Sequence, residues 1–193
     1  MKRRKAIKNT AVLMGFAFGA PTMLAVMNGC KATPVDESWQ PLFFSKEDAN
    51  IIGEIAETIL PETDTPGAKT AGVHKFIDEH VFKNFPTEAH QAIKSKFEAM
   101  KKSVVDKFGK SFDQLDMDNR IAFLKEFESE AAIFNEENTN EQDFHLWDGL
   151  KDLTITGFMT SEVGSKQFLV HDPIPGEYNG CVDLSSVGAN WAI

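Results

Sequence analysis

Apolar residues recur at steps of three and four through most of this chain, and no stretch beyond residue 45 keeps a sustained period of two. That pattern constrains the fold most, because a helix repeats every 3.6 residues and a strand every two. Ser45 reads as a helix N-cap with Asp48 three residues on, and Ile51, Ile52, Ile55, Ile59 and Leu60 then share one face until Pro61 stops the helix. After a loop from Pro61 to Gly72, a short helix is expected with Val73, Phe76, Ile77, His80 and Val81 on one side. Pro86 and Thr87 punctuate the chain. Ile93, Phe97, Met100, Val104 and Phe108 then define an amphipathic helix over Glu88 to Phe108. Asp116 can cap a helix carrying Ile121, Leu124, Phe127 and Ala131, and Asn135 to Gln142 reads as a polar loop. A last helix is expected from near Asp143 to about Leu169, with Gly157 and Gly164 allowing close backbone approach or a kink. The tail from His171 is rich in Pro and Gly and is expected to be extended. The predicted fold is all-α, an irregular bundle of about five helices with a C-terminal strap.

The first thirty residues follow a different logic. Arg3 and Arg4 sit in a basic start with Lys2, Lys5 and Lys8, an apolar run spans Ala11 to Met27, and Gly29 precedes Cys30. This is the basic, apolar, small-residue order of an export leader. Arg3–Arg4 resembles the twin-arginine export pattern, and Gly29–Cys30 resembles a lipoprotein cleavage site with Cys30 as lipid acceptor. An uncleaved anchor helix is the alternative, since about seventeen apolar residues lie near the lower bound for crossing a bilayer. The expected organisation is a signal segment at 1–29, a tether and lead-in segment at 30–44, and a helical domain at 45–193. Trp39, Leu42, Phe43 and Phe44 of the lead-in are expected to dock on the body.

The whole chain carries a formal charge of −9, and the leader holds five Lys/Arg and no acids, so the part beyond it stands at −14. Such acidity argues against nucleic acid as a partner, because the phosphates would repel it. It argues equally against a polybasic membrane contact and leaves attachment to a lipid on Cys30. With Cys30 acylated, Cys181 is the odd cysteine, fit for burial or for an intermolecular disulfide.

Recognisable catalytic chemistry is missing from the sequence. There is no glycine-flanked serine elbow, no His-Glu-x-x-His run and no Cys-x-x-Cys pair. A dinucleotide fingerprint is absent too, so no catalytic, cofactor or metal residue is assigned. His74, Asp78 and Glu79 can approach one another on a helix and form the one local cluster for an enzyme reading.

Three stretches resemble the gluconate 2-dehydrogenase subunit 3 family, the small accessory subunits of membrane-associated sugar dehydrogenases. They are Ile59 to Ala68 continuing through Ala71–Gly72–Val73 to Phe76–Ile77–Asp78, then Leu153 to Gly164, then Pro173 to Cys181. The middle helices, Pro86 to Asn140, agree in pattern only. The resemblance implies pairing with a large flavoprotein of the glucose–methanol–choline oxidoreductase class. That subunit would bind FAD, oxidise gluconate or a glucoside at carbon 3, and pass electrons to a cytochrome c or a quinone. The small subunit would bring the export signal, assist folding and anchor the complex at the periplasmic face of a bacterial membrane.

Thr65–Pro66–Gly67 forms a rigid turn able to present backbone groups to a partner. Pro173, Pro175 and Tyr178 lie on a strap that either closes the fold or docks on the partner. Trp147, Gly157 and Phe158 complete the expected interface, with core the stronger reading for Trp147. Cys181 is placed for an intersubunit disulfide. The rival reading is a stand-alone acidic lipoprotein that binds a ligand or scaffolds another envelope complex.

Overall fold

The computed structural model describes residues 39–140, 143–171, 174, 176, 181–188 and 191–192, all within the compact unit Val35–Ile193. The expectations on Arg3, Arg4, Cys30, Pro173, Pro175 and Tyr178 lie outside the described residues. Helix α1 spans Lys46–Ile59, α2 Val73–Asn84, α3 Thr87–Phe108, α4 Met117–Glu137, α5 Leu146–Met159 and α6 Leu184–Val187. A 3-10 turn at Phe112–Gln114 joins α3 to α4, and a π-helical turn at Gly164–Phe168 follows α5. Val170–His171 and Trp191–Ala192 pair in parallel, Val170 opposite Trp191. This pairing is two residues long and builds no layer, so the fold is the all-α irregular bundle that the spacing predicts.

The start signals act as read. The Ser45 hydroxyl accepts the Asp48 N–H at 3.0 Å, and the Asp116 carboxylate accepts the Asn119 N–H at 2.9 Å. Helix α1 is the hub: it packs on α2, α4, α5 and the 3-10 turn. All six residues from Ile51 to Ala56 are buried, so α1 is covered on more than the one face its isoleucines mark. Around it Phe97, Phe112, Ile77, Val73 and Val104 are almost wholly enclosed.

Two expectations need correction. The last helix begins at Leu146, not near Asp143, because Asp143 spends its side chain on the Phe144 N–H at 2.9 Å and on Lys96 at 2.9 Å. His145 is the N-cap instead, its Nδ1 accepting the Trp147 N–H at 3.3 Å. That helix also ends ten residues early, at Met159. The Thr160 hydroxyl donates back to the Thr156 carbonyl at 2.7 Å, and the Ser161 hydroxyl accepts the Gly164 N–H at 2.9 Å. These local bonds compete with the α ladder and open it into the π turn. The tail, expected to be extended, holds the four-residue α6 among its described residues.

Candidate functional site

The loop from Pro61 to Gly72 is built around one carboxylate. Glu57, on the last turn of α1, accepts the Glu62 N–H at 2.9 Å and the Lys69 N–H at 2.8 Å, and so clamps both ends of the loop. Gly67 sits against it: a Cβ there would lie 2.3 Å from Glu57 Oε1 and 2.6 Å from the Glu62 nitrogen. Only glycine fits that approach. Thr65 accepts the Thr63 N–H through its carbonyl at 2.9 Å, and the Gly67 carbonyl accepts from Ala71 at 3.1 Å. The backbone groups expected to face a partner are therefore largely spent within the loop. Thr65 and Pro66 remain half-buried, while Gly67 is enclosed.

Beneath the loop lies a buried ionic group. Glu54, on α1, pairs with Lys69 at 2.5 Å and with Arg120 of α4. Arg120 also donates to the Asp113 carbonyl at 2.7 Å and stands over the Phe112 ring at 5.7 Å. One carboxylate so ties α1, the loop, the 3-10 turn and α4 together. Charges this far from water persist only when paired, as these are.

The His74–Asp78 cluster resolves into two separate structural roles. The Asp78 carboxylate is fully buried and accepts three backbone N–H groups of the lead-in segment: Leu42 at 2.6 Å, Phe43 at 3.0 Å and Phe44 at 2.9 Å. These bonds dock Phe43 into the core and commit both oxygens of Asp78 to the lead-in segment. His74 is buried one turn earlier on α2, its ring edge-on to Trp39 at 5.4 Å between centroids. Neither ring nitrogen meets a hydrogen-bond partner among the described residues. Burial, seconded by Lys75 and Lys69 and opposed by Asp78, lowers its pKa from 6.5 to about 4. The imidazole is neutral at physiological pH. No group of three or more metal-binding side chains converges among the described residues.

Three of the expected interface residues belong to the chain's own core. Trp147 and Phe158 are buried, and Trp147 meets Phe127 edge-on at 6.2 Å between centroids. Gly157 faces Phe76 of α2, where a Cβ would come within 2.6 Å of ring atom Cδ1. Trp147, Gly157 and Phe158 thus hold α5 to its neighbours, and no surface of theirs is left to offer a partner. Cys181 is exposed.

What sequence reasoning missed is the buried Glu54, the half-buried Glu57 that clamps the loop, and the backbone partners of Asp78. The available signal was the placement of Glu54 within the apolar run Ile51–Ala56, where a charged residue on a covered face demands a partner. Comparison with known proteins agrees with the fold's layout. No curated protein and no solved structure matches the chain. The family model described as gluconate 2-dehydrogenase subunit 3 matches residues 46–176, which run from the first residue of α1 through the clamped loop and α5 into the tail. The chain belongs to the gluconate 2-dehydrogenase subunit 3 family.

Proposed function

We propose that this protein is the non-catalytic small subunit of a periplasmic FAD-dependent sugar dehydrogenase acting on gluconate or on a glucoside at carbon 3. The observation that carries the reading is the family match over residues 46–176 joined to the leader at residues 1–29. Membership alone makes the chain an accessory subunit of a dehydrogenase. The remainder rests on what the family resemblance and the leader imply. FAD belongs to the large glucose–methanol–choline subunit, and no residue of this chain is assigned to hold it. The buried carboxylates of this chain are engaged in holding its own loop and lead-in, a use that fits a scaffold. Arg3 and Arg4 engage the translocase, the folded body carries the flavoprotein with it, and acylated Cys30 holds the complex at the membrane. Electrons then leave the flavin for a cytochrome c or a quinone.

Replacing Arg3 and Arg4 by Lys tests the export role. The expected result is a flavoprotein without its own leader retained in the cytoplasm along with this subunit. A flavoprotein that reaches the periplasm unaided contradicts it.

A further inference from the structure

The lead-in segment hangs on α2 at two neighbouring points. Leu42, Phe43 and Phe44 place three consecutive backbone N–H groups on the Asp78 carboxylate. One turn earlier, Trp39 packs edge-on to His74 at 5.4 Å between ring centroids. The apolar hold is slight: within residues 39–44 Phe43 is buried, Leu42 is exposed, and Trp39 and Phe44 are half-buried. A segment with so little buried surface is the part of a fold that opens first.

His74 makes this attachment sensitive to charge. Its ring is buried, and neither nitrogen meets a hydrogen-bond partner among the described residues. A neutral imidazole tolerates that setting; an imidazolium, with two N–H groups and a full charge, does not. The charged ring has two sources of relief. One is Asp78, four residues on along α2 and so on the same face, whose charge already favours the protonated ring. That carboxylate is the one holding the lead-in. The other is water. On one side the ring borders Gly53, where an added Cβ would stand 3.8 Å from Nδ1, and α1 and α2 pack together there. Parting those helices would break the core, whereas lifting Trp39 costs one ring contact. Both routes draw on the lead-in.

The other charges near the ring are accounted for. Lys75 of α2 and Lys69 of the loop oppose its protonation, with burial the larger cause. Glu54, next to Gly53 on α1, is committed to Lys69 and Arg120. No residue from Trp39 to Phe44 carries a charge.

We infer that the lead-in segment is an acid-released latch, in which charging of His74 frees Trp39 to Phe44 from α2 while the helical bundle stays folded. The neutral ring belongs to the closed state, so the latch is closed at neutral pH and opens as the pH falls below 6.5 toward 4. Opening frees six residues, Trp39 to Phe44. At roughly 3.3–3.6 Å each, they lengthen the connection between the body and the chain before Trp39 by up to ~20 Å.

Hydrogen exchange read by mass spectrometry tests the latch on the full chain in mild detergent, from pH 7 to pH 4, with each rate divided by the intrinsic chemical rate at that pH. Protection at Leu42, Phe43 and Phe44 should fall by about tenfold or more, with about a hundredfold as the ceiling set by the difference between the two pKa values. Protection around Phe97 to Val104 in α3 should hold over the same range. In His74→Met, protection at residues 42–44 should no longer depend on pH. Protection at 42–44 that persists to pH 4 overturns the inference. So does its loss in step with α3, which would be general acid unfolding, and so does a pH dependence that survives in His74→Met, which would place the titration on another group. The comparison of residues 42–44 with α3 needs only the unaltered chain, so it decides the matter even where the variant fails to fold.

Discussion

Asp78 shows how much a single side chain can hold. Its two oxygens take three N–H groups from residues 34 to 36 positions away in the sequence, and Phe43 enters the core with them. Removing the carboxylate strands buried donors at about 1–3 kcal/mol each. Asp78→Ala should therefore cost on the order of 3 kcal/mol, a large share of the ~5–15 kcal/mol that holds a domain together. Urea denaturation should show it as a lowered midpoint, and proteolysis should cut near Phe44 in the variant first. His74 makes a different prediction. Its folded pKa of about 4 lies below the ordinary 6.5, so the unfolded chain binds the extra proton between those values. Stability contributed by the neutral ring is fully present above pH 6.5 and is lost as the pH falls toward 4. The full difference corresponds to roughly 3 kcal/mol at about 1.4 kcal/mol per pKa unit. His74→Met should flatten the melting temperature across that window; an unchanged slope would show that the dependence arises elsewhere. The sequence placed His74 and Asp78 together on one helix, and the structure agrees. Their partners were not legible, because backbone N–H groups distant along the chain leave no trace in residue type.

Among the elements, the helices whose apolar residues repeat at three and four emerged with boundaries close to those read from the sequence. Helix α3 starts one residue before the predicted Glu88 and ends at Phe108 as expected. The error at α5 came from side chains that bond locally: Asp143 and Thr160 compete for backbone groups, and spacing of apolar residues does not register that competition. Gly157 permits a test of the α2–α5 contact. An alanine there gains up to ~1 kcal/mol in helix propensity. It also drives a methyl into the base of the Phe76 ring, and overpacking of that kind costs ~1–3 kcal/mol. The clash should win, lowering stability by about 1–2 kcal/mol in Gly157→Ala. Phe76→Leu in the same chain should restore part of the loss. Gly67→Ala is the equivalent change in the Pro61–Gly72 loop and should be harsher, because it meets a carboxylate oxygen and a backbone nitrogen at once. Hydrogen exchange should then quicken at Glu62 and Lys69, whose N–H groups Glu57 would release.

At the scale of the whole molecule, Glu54 is the knot. It joins α1, α4 and the loop through Lys69 and Arg120, and replacing one member of a buried pair leaves the others as uncompensated charges. Glu54→Leu should cost about 3 kcal/mol or more in denaturant titrations, and Glu54→Gln less, since the amide oxygen still accepts a hydrogen bond. Nothing in composition distinguishes Glu54 from the acids of the solvated surface; only its place inside Ile51–Ala56 does. The family motifs fared better as markers of fold than of interface. Gly67, Gly157 and Gly164 prove to be packing and turn positions, and Trp147 and Phe158 are core. Residues that a family shares for folding and residues it shares for partnership look alike in a motif, and burial separates them. The central claim is partnership with a flavin-bearing dehydrogenase, and it is tested most directly by purifying the tagged protein from native membranes in mild detergent and recording its visible spectrum. The account predicts a flavin spectrum, a larger protein in stable association and dye reduction that depends on added sugar. A colourless, solitary protein from cells that express such a flavoprotein would contradict it.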